Sequence, residues 1–162
     1  MRVRETIAVV VLLAQVPTVH GEGTSISIVY DYGVHGRNKL DTISGTYTKD
    51  MVVDPSVTVK LTLTNEERDT ILAEARAVGF FELPSQIVPP DTTELGCLGT
   101  PCGEELLRIT VNSTSHTVKW DDCNCSPSSE RDRADRVGRL IQKIIESKPE
   151  YKKLPKPRGG YI

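Results

Sequence analysis

Between Val57 and Thr64 the hydrophobic period of this chain changes within one residue. Val57, Val59, Leu61 and Leu63 alternate with Thr58, Lys60 and Thr62, the pattern of a half-buried strand. Thr64 then stands where a helix N-cap belongs, with Glu67 three residues later. In that capping box each side chain satisfies a backbone N–H of the first turn, which has no partner inside the helix. Ile71, Leu72, Ala75 and Val78 recur at helical spacing, and Gly79 is a natural stop. The strand runs directly into a helix.

The same reasoning extends along the chain. Thr24–Tyr32 alternates, with Ile26, Ile28, Tyr30 and Tyr32 on one face, and Leu40–Thr48 is a second β-prone run with Gly45 as a bend. Asp54-Pro55 marks a turn. Glu104–Val111 and His116–Trp120 form a hairpin around Asn112-Ser113-Thr114-Ser115. A helix capped by Ser128 or Ser129 follows. Its stripe is Ala134, Val137, Leu140, Ile141, Ile144 and Ile145, and Pro149 forces an end near Ser147. The expected class is α+β: a single antiparallel sheet of about five strands, with two amphipathic helices against one face. Both phenylalanines, Phe80 and Phe81, plug the core where the first helix ends.

The N-terminus carries a different signal. Arg2 and Arg4 precede an apolar run from Ile7 to Val16, and Val19 and Gly21 are compact residues of the kind a signal peptidase accepts. That order predicts a secretory signal peptide over residues 1–21, cleaved near Gly21. A single domain over 22–148 and an extended basic tail over 149–162 follow. The apolar run is half the length of a membrane-spanning helix, so the mature chain is expected to lack a transmembrane segment. The expected location is secreted or periplasmic. A formal net charge of −2 lacks the basic footprint of a nucleic-acid binder.

Export gives the four cysteines their meaning, because disulfides persist in oxidising compartments. The spacings Cys97-x4-Cys102 and Cys123-x-Cys125 both miss the two-residue gap of a zinc ribbon or a thioredoxin-like redox pair. If the hairpin turns at Ser113-Thr114, Val111 faces His116, Ile109 faces Val118 and Leu107 faces Trp120. Extending that register sets Cys102 opposite Cys125 and leaves Cys97 for Cys123, which is the expected pairing. A bulge at Gly103 would give Cys102–Cys123 and Cys97–Cys125 instead. Either pairing staples the Ser85–Gly103 loop, whose prolines and glycines forbid regular structure.

No catalytic set emerges. His35 and His116 stand without a recognisable nucleophile or orienting carboxylate, and Ser115 lacks the glycines of a nucleophile elbow. Asp41, Asp50, Asp54, Asp121 and Asp122 lack calcium-loop spacing and fit turns. No metal site and no cofactor are expected. Asn112-Ser113-Thr114 is a glycosylation acceptor pattern at the hairpin tip, so Asn112 is a candidate glycosylation site. In the tail, Lys148, Lys152, Lys153, Lys156 and Arg158 oppose Glu150. Such a tail either docks on an anionic partner or folds back with Tyr151 and Leu154 tucked in.

The stretch from Leu61-Thr-Leu-Thr-Asn-Glu-Glu-Arg68 through Gly79-Phe-Phe-Glu-Leu-Pro84, followed by a hairpin and an amphipathic helix, resembles small bacterial envelope proteins. These are exported or lipid-anchored domains of unknown function. The resemblance covers about Ile26 to Ser147 and implies no catalytic residues; the chain lacks the cysteine that lipid anchoring requires after the apolar run. The expectation is a non-enzymatic binding module for a protein or cell-envelope ligand, using the stapled loop or the outer sheet face. Two alternatives are a small inhibitor-like protein whose loop enters an enzyme cleft and a zinc protein with all four cysteines as ligands.

Overall fold

The computed structural model describes residues 24–88, 101–123 and 128–161. The expected signal peptide, Cys97, Cys125 and most of the Ser85–Gly103 loop therefore lie outside the described residues. The strands are β1 (Ile26–Tyr32), β2 (Asn38–Asp41), β3 (Thr46–Met51), β4 (Asp54–Lys60), β5 (Glu104–Val111) and β6 (Thr114–Asp121). They form one antiparallel sheet in the order β4-β3-β2-β1-β5-β6. Helices α1 (Asn65–Ala77) and α2 (Ser129–Ser147), with the short α3 (Pro149–Lys152), complete the α+β fold.

The sheet has six strands where about five were expected. The run Leu40–Thr48 is two strands, because Asp41 closes a turn inside it. The Asp41 Oδ1 accepts the Ile43 and Ser44 amides at 2.8 and 3.2 Å, and Gly45 takes a left-handed φ of 68°. The turn expected at Asp54-Pro55 falls earlier, at Val52-Val53, and Asp54 already belongs to β4.

Both helices start as their caps dictate. The capping box of Thr64 and Glu67 is formed on both sides, and Ser128 accepts the Arg131 amide at 3.2 Å. Gly79 ends α1 with a φ of 65°. Arg133 of α2 then donates to the carbonyls of Val78 and Gly79, tying the two helices together at a terminus whose carbonyls lack helical partners. Arg136 reaches Glu74 at 2.7 Å. Through these contacts the two arginines bridge α1 and α2.

The core joins the inward row of β1 (Ile26, Ile28, Tyr30) and that of β5 and β6 (Leu107, Ile109, Val118, Trp120) to Ile71, Ala75, Val137, Ile141 and Ile145 from the helices. Phe80 is fully buried against Phe81 and His116 at ring distances of 5.8 and 5.5 Å, as expected of a core plug. Across the opposite face of the sheet run Thr48, Thr58, Thr110, Ser115 and Thr117, hydrogen-bonded in cross-strand pairs such as Thr48–Thr58 at 2.8 Å.

The hairpin corrects the disulfide register. Its turn is Asn112-Ser113 alone, with Asn112 at a φ of 57° and its Oδ1 accepting the Ser25 amide at 3.1 Å. Asparagine tolerates that left-handed conformation, so the loop closes with two residues rather than four. Ile109 therefore faces His116, Leu107 faces Val118 and Glu105 faces Trp120. The register moves by two positions, which leaves every side chain on its expected face but brings Cys102 opposite Cys123. Those two form the disulfide, at a Cα separation of 4.8 Å, in place of Cys102–Cys125.

Candidate functional site

The disulfide marks one end of the sheet, where the outer face carries a cleft of about 330 Å³. Cross-strand pairing builds its floor. Asp31 of β1 lies beside Leu106 of β5, Leu106 beside Lys119 of β6, and Lys119 beside Gln86. Gln86 reaches this position because Ser85–Ile87 adds to the edge of β6. The Ile87 amide donates to the Lys119 carbonyl at 2.9 Å, and the Lys119 amide donates to Ser85 at 2.9 Å. Glu104 pairs with Asp121 at the rim, and His35 and Gly36 close the side nearest the β1–β2 turn.

In the lining, carboxylates outnumber the one lysine, Lys119, and Leu106 supplies an apolar spot between them. Asp31 carries an ion pair from Lys39 at 3.3 Å, and the His35 Nδ1 lies 3.5 Å from Glu104 with both side chains 63% exposed. Asp121 accepts the Cys123 amide at 3.1 Å, and Asp122 accepts that of Gly103, so the two aspartates also shape the disulfide turn. Leu106 is the half-buried apolar residue among them.

Beneath the cleft lies a polar cluster that sequence reasoning missed. Glu105 points inward, in line with Leu107, Ile109 and Val111, and its Oε2 accepts the Tyr30 hydroxyl. Gln142 of α2 donates to that same hydroxyl oxygen at 2.9 Å, and Trp120 Nε1 donates to Asp135 at 2.7 Å. Burial pushes the Glu105 carboxyl up to about 7, helped by the negative charges of Asp135 and Asp122 and opposed by the Tyr30 bond and Arg139. Burial likewise raises the Tyr30 phenol, with the Glu105 charge adding to it. The signal was present in the sequence: a carboxylate at an inward position of an alternating strand needs a buried partner.

Gly138 is what lets α2 come close enough for these bonds. A Cβ there would overlap the Tyr30 hydroxyl and stand 3.2 Å from Glu105 Oε2. Alanine normally gains about 1 kcal/mol over glycine inside a helix. Here the overlap, at about 1–3 kcal/mol for overpacking, outweighs it. Gly138→Ala is expected to lower the melting temperature, and an unchanged or raised value in a thermal melt would refute the close packing.

The other expected site residues are dispersed. Asn112 is exposed at the hairpin tip, the end of β5 opposite the cleft. His116 lies on the inward face between Phe80 and Phe81, with no hydrogen-bond partner among the described residues for its buried Nε2. Asp50 is buried and Asp54 pairs with Arg158, so neither joins the cleft. Cys102 and Cys123 are joined to each other, which removes both as thiolate ligands of a four-cysteine zinc site. Among the described residues no group of three or more histidine, cysteine, aspartate or glutamate side chains is placed to hold a metal ion. No helix among them is long and apolar enough to cross a membrane. No family model matches the sequence, and no curated protein matches it either.

Proposed function

We propose that the chain is an exported, non-enzymatic binding module, and that its ligand is a basic segment of a protein partner received on the outer sheet face. One observation carries this reading: Asp31, Glu104 and Asp121 converge around Leu106 on a rigid strand platform pinned by a disulfide. Three carboxylates beside a half-buried aliphatic side chain suit a lysine or arginine, whose stem lies on the apolar spot while its head meets the acids. Strands hold such groups in place at little entropic cost on binding. The signal-like N-terminus supports an extracytoplasmic location, where the Cys102–Cys123 bond persists.

Titrating the labelled protein with an oligolysine peptide, followed by amide NMR shifts, tests the reading. The amides of Asp31, Leu106 and Lys119 are expected to move, and an oligoglutamine control to leave them in place. The combined substitution Asp31→Asn, Glu104→Gln, Asp121→Asn is expected to weaken binding at least about tenfold, since charge-assisted bonds contribute roughly twice what neutral ones do. Shifts of equal size in the variant would exclude the cleft.

A further inference from the structure

At the opposite edge of the sheet a peptide-like seat is built from the β3–β4 turn, and the chain's own C-terminal segment occupies it. Val52 sits at a φ of 63°, a conformation that a β-branched residue adopts only when its surroundings impose it. Asp50 imposes it. That carboxylate is 7% exposed, and its Oδ1 takes the Val52 amide at 3.0 Å. Its Oδ2 accepts the hydroxyl of Tyr161. Arg37 donates to the same hydroxyl oxygen at 3.1 Å and lies 5.6 Å over the Tyr161 ring.

Three residues earlier Arg158 forks onto Asp54, with N···O distances of 2.8 and 2.5 Å, while its backbone bridges Val52 in parallel. Gly159 passes so close to Val53 that a Cβ would stand 2.8 Å from Val53 Cγ2. The seat thus reads an arginine, a residue without a side chain and a phenol in sequence order. Upstream, Tyr151 and Leu154 pack on the core; Pro155 and Pro157 follow, each without an amide hydrogen and favouring an extended chain, and the Pro155 carbonyl accepts Lys49 Nζ at 3.1 Å. Beyond Leu154 the segment is nearly all exposed, and an exposed ion pair such as Arg158–Asp54 holds weakly.

We propose that this seat is a peptide-recognition site closed in cis by residues 155–161, and that its occupant in trans is the same segment of a second copy. Exchange between copies reproduces every cis contact with no new surface, which makes it a low-cost route to a dimer. The cis segment wins in the isolated chain because its tether gives it a high effective concentration. This proposal is independent of the acidic cleft.

Two full-length variants separate seat from segment. Asp54→Lys repels Arg158, breaks the seat and frees the segment, whereas Arg158→Ala with Tyr161→Phe frees the seat. All three side chains are at the surface or in the tail, and near-ultraviolet circular dichroism verifies that the core is retained. In sedimentation at sub-millimolar concentration each variant alone is expected to be monomeric, and their mixture to associate. A synthetic peptide of residues 153–161 is expected to bind the segment variant at least about tenfold more tightly than the parent chain, whose seat is filled. Equal affinity for the two overturns the cis closure. A mixture that stays monomeric while the peptide binds overturns the second copy as the occupant. If either variant fails to fold, the parent chain with excess peptide decides. Displacement shifts the amides of Val52 and Asp54 and sharpens those of Gly159 and Gly160, and absence of both changes overturns the proposal.

Discussion

Glu105→Gln is expected to stabilise the protein above neutral pH, and to remove a pH dependence that the parent chain shows between about 4.5 and 7. The sign follows from the direction of the shift. Burial, helped by the charges of Asp135 and Asp122 and opposed by the Tyr30 bond and Arg139, raises the Glu105 carboxyl from 4.5 to about 7, so the folded state holds a proton that the unfolded state has released. The associated stability is complete below pH 4.5 and is lost as pH rises through about 7. At about 1.4 kcal/mol per unit, the loss across that window is about 3 kcal/mol. Arg139 and Gln142 are the favourable groups facing the cluster, and neither neutralises it: Arg139 is 3.7 Å from Asp135, and Gln142 serves Tyr30. Glutamine keeps the acceptor for the Tyr30 hydroxyl without the charge. Denaturant unfolding at pH 5 and pH 8 should therefore differ in the parent and agree more closely in the variant; parallel pH profiles would refute the buried charge. Asp54 and Asp41 act the other way in acid. Arg158 holds the Asp54 carboxyl low; burial raises Asp41, but the Ser44 and Ile43 amides outweigh it. Stability is consequently expected to peak near pH 5, between the two limbs.

Breaking the Cys102–Cys123 bond is the other change of this size. The bond spans 21 residues of sequence, a loop whose closure removes about 3 kcal/mol of entropy from the unfolded chain. Cys102→Ser with Cys123→Ser is expected to lower the melting temperature by about 10 °C. It also loosens the turn in which Asp122 holds Gly103 and Asp121 holds Cys123, so oligolysine binding should weaken together with stability. A reductant is expected to reproduce both effects in the parent chain. A double variant that melts with the parent would show that the hairpin holds this end of the sheet by itself.

These two effects differ in how far they could be anticipated. The hairpin's inward row was legible from alternation, and with it the fact that cysteines flank its open end. The pairing was not, because it turns on whether Asn112 adopts a left-handed φ and closes the loop in two residues. A shift of two positions leaves every hydrophobic side chain on the core face, so burial patterns cannot detect it. Glu105 was legible in principle, as a charge in an apolar row. Its partner Tyr30 on β1 was not, nor was Gln142 of α2, which reaches the Tyr30 hydroxyl only because Gly138 admits the helix.

What the sequence determined by itself was local: the capping box of Thr64 and Glu67, the stop at Gly79, the Ser128 cap and the faces of strands and helices. Each depends on contacts within a few residues, where propensity and hydrogen-bond satisfaction suffice. Only the tertiary structure decided the sixth strand, the Cys102–Cys123 register, the buried Glu105 and the return of Tyr161 to Asp50. Those features join residues up to 111 positions apart, and such contacts form only after the rest of the chain has packed.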